Sequence, residues 1–194
     1  MAHPALIVPP SGPVTAHCFR LRPGDNLMPS LKQAASIILS RIPNQLCGSA
    51  FVITAVGSLQ EVTLRLANAS RTDGQDGNGE NCIKRYPNKR FEIVSLTGTF
   101  SRDDGCHIHL SLSDAEGNTV GGHLIDGVVF TTVEVVLGTA DGVKFVREMD
   151  KETGYKELEP RQLVSNGVGL SWGKMSMALF FVAAGFFAGR FKTR

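Results

Sequence analysis

Alternation sets the first part of the chain. Phe19 and Leu21 trade places with Cys18 and Arg20 over residues 15–21, and a period of two is what a strand with one buried face requires. Strand-like runs follow over 49–56 and 61–66, with Gly57-Ser58 between them as a tight turn. Five more span 91–100, 107–113, 119–125, 131–137 and 143–149, each bounded by Gly, Asp or Ser. One segment keeps a different period. Leu27, Leu31, Ala34, Ala35 and Ile38 recur at helical spacing, Asn26 stands where a cap would accept orphan amide hydrogens, and Pro43 stops the run. About eight strands with one main helix predict a single α+β domain with a largely antiparallel sheet.

The stretches between and beyond these elements have other characters. Residues 1–14 hold Pro4, Pro9, Pro10 and Pro13 and read as a disordered lead-in. Residues 68–89 are rich in Gly and in turn dipeptides such as Asp73-Gly74, and read as a long loop. Residues 151–173 are polar and Gly-rich, a linker after a domain over 15–150. Residues 174–194 read as a transmembrane tail anchor. There, 175–189 carry no charge, and Met175, Leu179, Phe180, Phe181, Val182, Phe186 and Phe187 leave no polar stripe. Such a helix would be about 22 Å long against a hydrocarbon core of about 30 Å. Flanking Lys174, Arg190, Lys192 and Arg194 could snorkel to close part of the gap. The expectation is a C-terminal hydrophobic helix in a membrane, with the domain on the cytosolic side. Mitochondrial outer membrane or peroxisome fit the short span and basic tip.

Composition adds constraints. With 42% apolar and 20% charged residues the chain is of globular type, and a formal charge of +2 argues weakly against nucleic acid as the main partner. The cluster Lys84, Arg85, Lys89 and Arg90 around Tyr86 reads first as a solvated loop edge. Cys18, Cys47, Cys82 and Cys106 are scattered without a CxxC pair, so neither a zinc finger nor a disulfide framework is indicated.

The candidate chemistry lies in three histidines. His107 and His109 are two apart on one strand, so their side chains leave the same face. If residues 114–118 form a five-residue hairpin turn, His109 faces His123 directly and His107 sits one diagonal step away. A two-residue turn at Gly117-Asn118 would instead set His123 opposite Leu112, and a bulge at Gly121-Gly122 would also slip the register. In the first register three imidazoles could meet one ion, zinc by preference, with a fourth position open. Cys106 falls on the opposite face from His107. Ser111 shares the histidine face, with no base evident beside it. No catalytic residue is assigned.

Several pieces together resemble the PPC domain family (plants and prokaryotes conserved), found in plant AT-hook nuclear proteins and as stand-alone bacterial and archaeal proteins. They are Leu21-Arg22-Pro23-Gly24-Asp25, Ala55-Val56-Gly57-Ser58-Leu59, the run from Phe91-Glu92-Ile93-Val94 to Thr99-Phe100, His107-Ile108-His109, and Val120-Gly121-Gly122-His123. The resemblance spans roughly residues 15–150. It implies a sheet-plus-helix domain assembling as a homotrimer, and a metal held at the HxH…GGH positions, here His107, His109 and His123. The basic AT-hook is absent from this chain, so it is similar to the stand-alone, histidine-bearing branch. The leading expectation is a membrane-anchored trimer with a zinc site, acting as a binding or hydrolytic module. A DNA-associated nuclear regulator and a purely structural assembly domain are the alternatives.

Overall fold

A computed structural model describes residues 9–67, 82–103 and 105–163. Among these residues, eight strands and one helix run in the order β1 (Val14–Leu21), α1 (Leu27–Ser40), β2 (Ser49–Arg65), β3 (Ile83–Tyr86), β4 (Phe91–Ser101), β5 (Gly105–Ser113), β6 (Thr119–Ala140), β7 (Val143–Met149) and β8 (Lys156–Gln162). All strand pairings within the sheets are antiparallel. Six strands form one sheet in the order β1-β6-β5-β4-β2-β3, and β6 pairs with β2 as well. The ladder therefore returns on itself through β6, β5, β4 and β2. The strands β7 and β8 make a separate hairpin.

The strand pattern explains which side chains are inside. Along β5, Ile108, Leu110 and Leu112 are buried while His107 and His109 are exposed. Their inward-facing partners include Leu64 and Val62 on β2, Phe91 and Leu96 on β4, and Leu124, Val129, Val133 and Leu137 on β6. Each such side chain contributes about 1.5–3 kcal/mol when removed from water. That burial fixes the outward face as firmly as the inward one, because a one-residue slip would exchange them.

Helix α1 adds Leu27, Met28, Leu31, Ala35 and Leu39 to the core. Its spacing is as expected, but its cap is not. Asn26 makes no side-chain capping bond. Instead the Asp126 carboxylate on β6 accepts the Met28 amide hydrogen at 3.2 Å. A capping residue 98 positions away in sequence leaves no local signal.

The structure corrects the fold expectation in several places. The described residues are mostly antiparallel sheet, and the one helix among them, 14 residues long, is a minor part. No turn forms at Gly57-Ser58. Residues 49–65 run as one strand with register shifts against β6, among them one between Gly57 and Leu59. Gly57 takes φ 143°, and a Cβ there would lie 2.1 Å from the Thr132 carbonyl oxygen, so the glycine serves a bulge and close strand approach. In the same way, 119–125 and 131–137 are parts of one 22-residue strand. The expected loop over 68–89 contains β3, and the expected linker over 151–173 contains β8.

The C-terminal hydrophobic helix and the membrane localisation built on it are also withdrawn. Among the described residues no helix is long and apolar enough to cross a membrane. Met175, Leu179, Phe180, Phe181, Val182, Phe186 and Phe187 lie outside the described residues. The physical weakness was already in the length, since fifteen residues of helix fall about 8 Å short of the hydrocarbon core.

Candidate metal centre

The hairpin β5–β6 decides the site. Asp114 organises its turn: its carboxylate accepts the amide hydrogens of Glu116 at 3.2 Å and Asn118 at 2.9 Å, and the Lys89 ammonium donates to it at 2.9 Å. The Lys89 hydrogen bond, followed by that of the Asn118 backbone, holds the Asp114 carboxyl down at about 2. The resulting turn is the five-residue one. Ser113 pairs with Thr119, Leu112 with Val120, and His109 stands opposite His123.

Two glycines precede His123 for a steric reason. A Cβ on Gly122 would sit 2.6 Å from the Arg65 carbonyl oxygen, and one on Gly121 would sit 2.9 Å from that of Leu110. Backbone comes close on both sides, and β6 passes between β5 and β2 at this point. His123 is paired with His109 on one side and with Arg65 on the other.

Three imidazoles converge there. The Nε2 atoms of His107 and His109 are 3.0 Å apart, and the ring centres are separated by 4.9 Å (His107–His109), 5.2 Å (His107–His123) and 5.6 Å (His109–His123). One nitrogen from each ring lies within 4.8 Å of the others. The buried Nδ1 of His123 has no hydrogen-bond partner among the described residues. A buried, unsatisfied ring nitrogen is costly. This donor set fits a divalent ion, as three neutral imidazoles without a thiolate suit zinc or a neighbouring transition metal.

The electrostatics favour the ligating, unprotonated form of two of these rings, His107 and His123. Burial pushes His107 below its ordinary value, and His109 and Arg147 push the same way. Burial also brings His123 down to about 4, with Arg65 the next cause and His107 and His109 behind it. Both rings are neutral at pH 7.

The other sequence candidates go elsewhere. Cys106 faces the core side, its Sγ 4.0 Å from the Met28 sulfur, and burial raises its thiol pKa. It is no partner for the histidines. Ser111 lies opposite Gly121 on the ladder. Two cations near the trio were missed by sequence reasoning. Arg65 follows a bulged strand whose register cannot be counted in advance, and Arg147 lies on β7, outside the main sheet.

Fold and site define a class: an antiparallel, bulged β-domain carrying a three-histidine cluster that could hold a metal. The sequence pattern of the Plants and Prokaryotes Conserved (PCC) domain matches residues 10–141, and the chain belongs to that family. Among curated proteins it is 37% identical over 150 residues to the bifunctional protein GlmU of Synechococcus sp. strain JA-2-3B'a(2-13). It is 34% identical over 173 residues to that of strain JA-3-3Ab. These alignments take in 77% and 83% of this chain, which spans only 21% and 25% of the two relatives.

Solved structures agree on the fold. A hypothetical protein of Salmonella cholerae-suis is 28% identical with a TM-score of 0.66, covering 81% of this chain and all of its own. A plant- and prokaryote-conserved protein of Pyrococcus horikoshii is 25% identical with a TM-score of 0.60, at the same coverage. A metal-containing protein of Archaeoglobus fulgidus shares the fold at 21% identity and a TM-score of 0.59, over 79% of this chain and 99% of its own.

Proposed function

We propose that this chain is a metal-binding domain in which His107, His109 and His123 hold one divalent ion, zinc by preference, and present its open position to a small ligand. The observation that carries the reading is the convergence of three ring nitrogens within 4.8 Å from two paired strands. The metal content of the Archaeoglobus protein of like fold supports it. Zinc held by three histidines supplies Lewis-acid chemistry at its remaining position. The protein's own contribution is to aim the rings and keep His107 and His123 unprotonated. Whether the site binds or hydrolyses then depends on its ligand. The curated relatives are several times longer than the matched stretch, which suits a module that works beside other domains.

The DNA-associated alternative has less support. Lys89 is engaged by Asp114 at 2.9 Å, and the Arg90 guanidinium stacks 4.1 Å from the Phe130 ring centre. Two of the four cations in the basic stretch are thus used within the domain.

The purified chain of residues 1–194, stripped of metal and titrated with zinc, tests the reading. At a free zinc concentration a hundredfold above Kd, the folded state should be stabilised against unfolding by about 2.7 kcal/mol. Lowering the pH should remove stability even without metal. The folded pKa values of His107 and His123 lie below the unfolded value, so the unfolded state takes up protons that the folded state refuses. Stability is therefore full above about pH 6.5 and declines as pH falls toward about 4, the lower bound being set by His123. No shift in the unfolding midpoint with zinc at neutral pH would refute the proposal.

Homotrimeric assembly is the second part of the reading. Ile53, Val56 and Val94 are 48%, 54% and 58% exposed in the single chain, and apolar side chains left bare on strands suit a self-complementary surface. Light scattering at micromolar concentration should give three times the chain mass; a monomer mass would reject it.

A further inference from the structure

We infer that the same site takes a small oxyanion-bearing ligand, a carboxylate or a phosphate, gripped by Arg65 and Arg147 beside the histidine trio. The inference rests on the metal reading for its context but has its own residues. Arg65 is the ladder partner of His123, and opposite residues on paired strands share a face. Its neighbours confirm the facing, since Leu64 and Leu124, the next pair along, are both buried in the core. Arg147 reaches the trio from the β7–β8 hairpin. Its Nη2 donates to the Thr99 hydroxyl at 2.9 Å, and Thr99 stands opposite His107 on the β4–β5 ladder. The site is therefore bordered by a guanidinium near each end, one beside His123 and one beside His107.

Two guanidinium groups beside a cluster that would hold a dication form a like-charge arrangement. Both depress the pKa of His107 and of His123. Glu157 on β8 acts the other way on His107, so one carboxylate offsets part of this charge. With a divalent ion in place the positive groups outnumber it, and an anionic ligand is the natural complement. Guanidinium groups bind carboxylate and phosphate through paired, charge-assisted hydrogen bonds, and a metal with an open position accepts the same oxygens. A neutral ligand would leave the arginine field uncompensated.

The experiment titrates inorganic phosphate and malonate separately into the full chain by calorimetry, metal-free and cobalt-loaded, with metal content measured on each sample. Arg65→Met and Arg147→Met should each weaken the favoured anion about ten- to a hundredfold, the range of a lost charge-assisted hydrogen bond. The bound metal should be unchanged. Because Arg147 also donates to the Lys156 carbonyl at 3.4 Å, Arg147→Lys is included. It keeps the charge but not the fork, and should give an intermediate loss in a folded protein. Whichever anion binds more tightly identifies the ligand class. Equal affinity in wild type and all variants, or no binding of either anion in either form, overturns the inference. A chain that takes up no metal yet binds anion through these arginines would refute the metal reading and leave the anion site standing.

Discussion

Replacing His109 with alanine is expected to lower zinc affinity by at least about a hundredfold, the upper end of what losing even an outer-sphere partner costs. His109 neighbours both of the others, with its Nε2 3.0 Å from that of His107 and its backbone opposite His123. Without it, the remaining two imidazoles leave a site that competes poorly with buffer and chelator. The fold should survive, because His109 is exposed and the buried side chains Ile108, Leu110 and Leu112 hold β5 in place. Competition with a chromophoric chelator measures the first effect and denaturant unfolding of the metal-free protein measures the second. Undiminished zinc affinity would remove His109 from the ligand set.

The second large effect is expected from Gly122→Ala. The added methyl would meet the Arg65 carbonyl oxygen at 2.6 Å, and backbone cannot rotate aside as a side chain can. Overpacking of this kind costs about 1–3 kcal/mol. The strain falls next to His123, so zinc affinity should drop in the same variant. A substitution that leaves both stability and zinc uptake at wild-type values would show that β6 has more room here than the geometry indicates.

Much of the site was legible in the sequence, and for a physical reason. The spacing of His107 and His109 fixes a common face by strand geometry alone, and a five-residue turn then sets His123 opposite His109. What sequence left open was which turn would form. Asp114 settles it by collecting two backbone amides and the Lys89 ammonium, and only Lys89 is remote. The fold was less legible where it depends on bulges. Gly57 looks like a turn residue but lets a long strand bend past its neighbour, so two expected strands proved to be one. The strand β8 was hidden by its charges and Pro160, because among the described residues it pairs only with β7 and has little apolar face to announce it. The arginines around the trio were invisible for a related reason: their approach to the histidines is set by tertiary pairing.

The path of β6 bears on how the histidines would choose an ion. It stays with β5 only from Thr119 to His123, then continues along β2, while β5 carries His107 onward against β4. The trio thus straddles a branch point in the hydrogen-bonded network, two rings on one arm and the third where the arms part. The distance of His123 from the other two rings then depends on the opening angle of that branch as well as on side-chain rotamers. Twisting the arms apart would carry His123 away from His107 and His109 together. Selectivity for ionic radius would then be written into the backbone, and a mutation far along β2 or β4 that alters twist could retune it without touching a ligand.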